Sequence, residues 1–357
     1  LRFADDVRPK RILDDAVTRW FIAAAVLILV ALFLWRSTPP SAPSAAVSEA
    51  IQQETRARNP SNTTPSSPPP ATARRDPLLY EAPWGPQTLG RAPADESNPE
   101  GPMAFTIGPD GTLWILDQVN GRLLKLRPGQ TKPEAVKLSL LAPQDVKVAA
   151  DGTVVVLDRL GDRAIALIGA DGEPLGTLPL TKIKDTGGVT GVFTDENDIY
   201  IEREHGALTL VGTTKGVSAA MPHQILGRPT PDGSAFLHAA LAERAGVVVN
   251  VFDRKTQAQR FTRLLSFSEP IQYLLELDAD RVGTLYVAAV VGIPGSAHIV
   301  VTCLSLRDGA SIGRAHLQAS ELADEVFREI AINPDGGFVH NHRSESGARY
   351  EQHTCAP

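Results

Sequence analysis

Three groups of residues have types and spacings that could do chemistry. Asp117, Asn120 and Arg122 punctuate the stretch GPDGTLWILDQVNGRLLKL (108–126), where they could either open a ligand site or fasten a structural unit. His340 and His342 flank Asn341 in an HNH triplet. Alternate residues of a strand share a face, so the two imidazoles could reach one metal ion, although a strand surface is the commoner place for such a pair. Cys303 and Cys355 are the only cysteines. There is no serine in a nucleophile elbow, no glycine loop that would cradle phosphate and no pair of carboxylates at a useful spacing. No active site declares itself, so the meaning of these residues depends on the elements that hold them.

The chain has 357 residues, long enough for one large domain or two ordinary ones, and a net charge of -6. With a pI near 5.8 and no Lys/Arg cluster over a candidate groove, nucleic acid is excluded as an expected partner. Residues 20–35, WFIAAAVLILVALFLW, form an uninterrupted apolar run between Arg19 and Arg36. As a helix it spans roughly 24 Å, which aromatic ends and snorkelling arginines extend towards the ~30 Å of a bilayer core. A buried core helix would show a polar face, and this run has none. A cleaved signal peptide is the other alternative, with small residues around Ala46 for the peptidase. The long basic segment before the run and Arg36, Pro39 and Pro40 after it favour an uncleaved signal anchor, a transmembrane helix over 20–36. Arg2, Arg8, Lys10, Arg11 and Arg19 place residues 1–19 in the cytoplasm by the positive-inside rule, and the remainder outside it, in the periplasm or extracellular space.

From 37 to 79 the composition narrows to Pro, Ser, Ala and Thr, which predicts a disordered linker with polyproline II character, because such a segment buries too little apolar surface to offset its ordering entropy. From residue 80 onward short β-rich runs recur between turn signals. PMAFTIGPDGTLWILD from Pro102 aligns with PQDVKVAADGTVVVLD from Pro143, and FREIAINPDGGFVHN from Phe327 repeats the spacing. Weaker copies lie at 188–202, 228–240 and 274–289. Taking Asp110, Asp151, Glu196, Asp232, Val282 and Asp335 as equivalent, the mean interval is about 45 residues, the length of a four-stranded propeller blade. Asp-Gly between β-formers predicts a type I′ hairpin turn. In TLWIL both faces are apolar, as stacking of blade on blade requires. The expectation is an all-β domain over 80–357, a six-bladed β-propeller of four-stranded antiparallel blades. Segment 82–93 is expected to supply the last strand of the sixth blade.

The first two repeats resemble the NHL family of propellers: an apolar strand, an Asp-Gly turn, a strand ending in Asp, then a loop with Arg opening the next strand. Here that reads Asp117, Asn120, Gly121, Arg122 and then Asp158, Gly161, Asp162, Arg163. Asp117 with Arg122, and Asp158 with Arg163, are expected to fasten neighbouring strands in register as exposed pairs contributing at most about 1 kcal/mol. Propeller enzymes of similar texture, such as lactonases, hold a divalent cation with acids and amides of the innermost strands, which here offer Asp145, Glu276 and Glu329. That gives the alternative reading, a metal-dependent hydrolase or lyase with calcium in its channel. The preferred reading is a non-catalytic binding or scaffold protein without metal or cofactor, tethered to a membrane. Its protein or glycan partner would be met by loops on one face, around Gln118, Arg159, His205, Arg244 and Glu345. In an exported protein Cys303 and Cys355 are expected to form a disulfide.

Overall fold

The computed structural model describes residues 78–92, 101–203, 206–221, 223–225, 227–242, 245–322 and 325–357. The expected cytoplasmic segment, the transmembrane helix and nearly all of the expected linker lie outside the described residues. Among the described residues no helix is long and apolar enough to cross a membrane.

The strands follow the repeat. β1 (Leu78–Pro83) comes first, then a blade of β2 (Ala104–Ile107), β3 (Leu113–Asp117), β4 (Arg122–Leu126) and β5 (Glu134–Lys137). The second blade is β6 (Asp145–Val148), β7 (Val154–Asp158), β8 (Ala164–Ile168) and β9 (Pro174–Pro179). The third is β10 (Val189–Asp195), β11 (Asp198–Arg203), β12 (Leu208–Thr213) and β13 (Gln224–Ile225). The fourth is β14 (Arg228–Pro229), β15 (Ala235–Ala242), β16 (Gly246–Asp253) and β17 (Gln259–Ser266). The fifth is β18 (Ile271–Ala279), β19 (Thr284–Val291), β20 (His298–Ser305) and β21 (Ser311–Gln318). The sixth is β22 (Ile330–Ile332), β23 (Phe338–Ser344) and β24 (Gly347–His353), with β1 as its outermost strand. Six antiparallel four-stranded sheets result, a six-bladed propeller.

Packing between blades accounts for the two-sided apolar strands. Leu113 and Ile115 of β3 pack with Phe105, Val339 and Tyr350, towards the sixth blade. Trp114 and Leu116, on the opposite side of the same strand, pack with Val154 and Val156 of the second. The turns depart from the type I′ expectation. Only the glycine has positive φ, 79° at Gly111 and 85° at Gly152. The aspartate instead accepts the backbone N–H two residues on, Thr112 N to Asp110 Oδ1 at 3.0 Å and Thr153 N to Asp151 Oδ1 at 3.0 Å. The loops are three residues long rather than two, each a turn closed by Gly111 N to Gly108 O at 2.9 Å or Gly152 N to Ala149 O at 3.0 Å, and such a loop needs only its last residue left-handed.

The ring closes between chain start and chain end, through β1 rather than the whole of 82–93. Glu81 pairs with Arg349 and Ala82 with Ala348. Only Ala82 and Pro83 of the expected segment are in the strand, because Gly85 turns the chain into a loop closed by Gly85 N to Leu89 O at 2.8 Å. A second closure follows β24: Ala356 bridges to Arg314 of β21, and the Cys303–Cys355 disulfide ties this tail to the fifth blade. Alternation of strand direction puts the loops between second and third strands, and the links between blades, on one face, called upper here. Turns between first and second strands lie on the lower face.

Candidate functional site

Inner strands of the second, fourth and fifth blades, together with Glu202 of β11 and Arg328 at the entry to β22, bring a set of charges from five blades to the axis. Arg328, just ahead of β22, is positioned by Phe327 N and Arg328 N, which donate to Met103 O at 2.7 and 3.2 Å. Its Nη2 and Nε reach Asp145 Oδ2 and Oδ1 at 3.1 and 3.3 Å, and its Nη1 reaches Glu276 Oε2 at 2.9 Å. Arg228 of β14 lies alongside. Its Nε and Nη2 bond both oxygens of Glu202 at 2.8 and 3.0 Å, and its Nη1 bonds Glu276 Oε1 at 2.8 Å and Leu277 O at 3.0 Å. Both guanidinium groups pack on the ring of Phe193, at 4.6 Å for Arg228 and 5.4 Å for Arg328. One level lower, Lys147 Nζ bonds Asp278 Oδ2 at 2.8 Å.

Each charge here is buried at a cost that its partners offset. Burial works against the Arg328 cation, but Asp145 and Glu276 outweigh it and hold its pKa above the usual arginine value. Glu202 and Glu276 do the same for Arg228. Burial likewise opposes the Asp278 carboxylate, yet the Lys147 ammonium brings its pKa below the ordinary range. The layer can register five blades against one another, and its geometry leaves the acids facing guanidinium.

The acids named from the sequence therefore separate. Asp145 and Glu276 do converge, on Arg328. Glu329 turns away to His340, 3.7 Å from its Nε2. His340 and His342 share a side of β23 with ring centroids 6.1 Å apart. Among the described residues no group of three His, Cys, Asp or Glu is placed to hold a metal ion. Arg228, Arg328 and Lys147 were missed by sequence reasoning. The available signal was a basic residue at or beside an inner strand of an apolar repeat, as in GRPT and FREI.

Above the layer a cavity of about 370 Å³ opens on the upper face between the third, fourth and fifth blades. Its floor is Glu202, Arg228 and Glu276, and Leu237, Ala239, Leu241, Tyr273, Leu275 and Leu277 form its walls. It exists because β14 is short. Arg228 and Pro229 pair with Leu237 and Phe236, while β15 runs on to Ala242. On the opposite wall, register shifts in β18 between Ile271 and Tyr273 and between Leu274 and Glu276 mark bulges that widen the space. Below the layer, a mouth of about 200 Å³ is lined by Lys147, Phe193, Asp195 and Asp278 with Pro109, Pro231 and Pro334.

Three of the five expected loop residues are described, all on the upper face but not in one pocket. Gln118 bonds Met103 N at 3.0 Å through Oε1 and Gly101 O through Nε2, tying its loop to the entry of β2. Arg159 donates to Gly187 O at 2.6 Å and Val189 O at 3.0 Å and stacks on Phe327 at 4.7 Å. Glu345 pairs with Arg91 at 3.0 Å, its side chain 80% exposed. His205 and Arg244 lie outside the described residues.

The two fasteners differ. Arg122 Nε meets Asp117 Oδ2 at 2.7 Å, but Asp117 is fully buried rather than exposed. Its carboxylate also accepts Gly90 N at 2.7 Å and Asn120 Nδ2 at 2.9 Å, while Arg122 Nη2 donates to Thr88 O at 2.7 Å. The loop after β1 folds over the pair and uses it as an anchor. In the second copy Asp158 is equally buried, beneath the link around Leu141 and Ala142 that leads into β6, and the expected exposed pair with Arg163 does not form. Asp158 accepts Gly161 N at 2.7 Å and Ala142 N at 2.8 Å, and Arg163 donates to Ile183 O at 3.3 Å.

No protein-family model matches the chain, and no curated protein sequence matches it. Solved structures similar to it include hydrazine synthase from Kuenenia stuttgartiensis, at 14% identity over 70% of this chain and 75% of that one with a TM-score of 0.46. Virginiamycin B lyase from Staphylococcus aureus is similar at 10% identity over 74% and 98% of the two chains, TM-score 0.42. Regucalcin from Agrobacterium tumefaciens, a calcium-binding protein, is similar at 14% identity over 71% and 91%, TM-score 0.41. The fold assignment rests on the strand pairing above, and nothing about activity follows from these likenesses.

Proposed function

We propose that this chain is a non-catalytic binding module, a propeller tethered to a membrane and displayed outside the cytoplasm, which captures a partner by its upper face. The observation that carries the reading is an apolar cavity on that face, standing over a channel already filled by ion pairs. A lactonase-like hydrolase needs channel acids and amides directed at a cation, whereas Asp145 and Glu276 are both bonded to Arg328. Exposed apolar residues on the upper face add support: Leu141 at 78% exposure, Leu160 at 57%, Leu241 at 52% and Tyr273 at 50%. These favour a protein over a glycan. The disulfide fits an oxidising compartment. The NHL likeness remains a matter of the first two repeats, and the tether a matter of the apolar run at 20–36.

The test is capture of the partner by full chains carrying Leu160→Asp or Glu345→Lys, both at exposed positions. Capture is expected to fall with the melting temperature unchanged; undiminished capture by both would reject this face. Under the alternative reading, added calcium would raise the melting temperature of the unmodified chain, a result that would count against the proposal.

A further inference from the structure

The upper cavity has two properties that together define an occupant. The first is a strand edge. Thr230 N donates to Ala235 O at 3.0 Å, and β14 continues the pairing only as far as Leu237. The alternation of a strand then turns the N–H and C=O of Ala239 and Leu241 towards the channel. No described strand pairs with that edge, and β15 becomes progressively exposed there, with Leu241 at 52%. An unpaired edge is a template for another extended chain.

The second property is a neutralised floor beneath apolar walls. Four of the bonds made by Arg228 go to Glu202, Glu276 and Leu277, so its donors are turned into the protein. Glu276 in turn is held by two guanidinium groups. With these charges answered within the layer, a charged group brought down on it would lose its hydration without finding a matching partner, whereas an uncharged apolar group would displace water from Leu237, Leu275 and Tyr273. Charge complementarity therefore selects a neutral occupant. At about 370 Å³ the cavity exceeds the roughly 150 Å³ that holds a benzene, and has room for large side chains.

We infer that the partner segment is an extended peptide that adds as a strand to the Ala239–Leu241 edge of β15 and buries an uncharged, large apolar side chain between Leu241 and Tyr273. This rests on the binding reading above and gives it a mode. The peptide takes the place of the upper half of the inner strand that blade four lacks: its backbone supplies affinity, and the cavity selects the residue.

The experiment uses the full chain in lipid nanodiscs and a fluorescent blocked hexapeptide alternating Thr with Leu, read by anisotropy. Three comparison peptides replace the central Leu by Asp, replace the central Thr by Pro, or scramble the alternation. Binding of the Leu peptide is expected, with at least tenfold weakening by Asp, by Pro and by scrambling. Two protein variants are measured beside it, Leu274→Trp, on the side of β18 that packs with Leu237 and Ala239, to fill the cavity, and the exposed Leu241→Gln as a change that leaves folding intact. Each is expected to weaken binding at least threefold at an unchanged melting temperature. Should Leu274→Trp fail to fold, Leu241→Gln alone decides. No peptide binding, or binding indifferent to the Pro replacement, overturns strand addition. Saturable binding of toluene without any peptide binding would make the cavity a small-molecule site and also overturn it. If Leu160→Asp abolishes partner capture while Leu241→Gln and the peptides have no effect, the binding face stands and the mode alone falls.

Discussion

Replacing Arg328 by Met should be among the most damaging single changes to the domain. The side chain is about 5% exposed and ties Asp145, at 1%, to Glu276, at 3%. Methionine fills similar space but leaves two buried carboxylates without one of their cations. It also forfeits bonds at 2.9, 3.1 and 3.3 Å. Breaking a buried pair by removing one member costs about 3–5 kcal/mol. For a domain of this size, at about 2–3 °C per kcal/mol, the melting temperature should fall by roughly 6–15 °C. Calorimetry on the full chain measures this directly. A cycle with Asp145→Asn separates the pair from general disruption, and the double variant should be less destabilised than the sum of the singles, with about 0.5–3 kcal/mol of coupling. A fall of less than 2 °C for Arg328→Met, or strict additivity in the cycle, would refute a buried ion layer that registers the blades.

Other consequences can be read from the same melts. Tyr286 donates to Asp280 Oδ2 at 2.8 Å and accepts Gly337 N at 2.8 Å, linking the fifth and sixth blades, so Tyr286→Phe should cost about 1–3 kcal/mol by leaving a buried N–H unpaired. Burial, then repulsion by His340, holds the His342 pKa below 6.5. The unfolded chain therefore binds the proton more readily, and the stability present above about pH 6.5 should be lost as pH falls towards the folded pKa. Between pH 7.5 and 5.5 the melting temperature should accordingly drop more for the native chain than for His342→Asn. Cys303→Ala with Cys355→Ala opens a loop spanning 52 residues, and chemical denaturation should show a loss of up to about 4 kcal/mol.

The architecture was legible because blade-on-blade packing writes a local pattern. Leu113, Trp114, Ile115 and Leu116 are all apolar since each side of β3 meets a neighbouring blade, and Asp110-Gly111 marks the turn within a few residues of the strand it serves. The cysteine pair was legible by count. The axis was not, because its contacts join residues remote in sequence: Arg328 meets Asp145 at a separation of 183 residues, and Arg228 meets Glu276 at 48. Local reading showed the acids and could not show the cations that answer them. Asp117 was read as an exposed fastener for the same reason, since what buries it is the loop around Gly90, 27 residues earlier. The cavity arises from the shortness of β14, where Pro229 and the turn signal around Asp232 were visible in the sequence but the extent of strand pairing was not.

Photo-crosslinking in cells tests the central claim most directly. A photoreactive residue at Leu160 or Glu345 reports on the upper face, and one at Val282 or Asp335 reports on the turns of the lower face. The account predicts a discrete protein adduct from both upper positions and none from the lower pair. Adducts from the lower positions, with none from the upper, would contradict it.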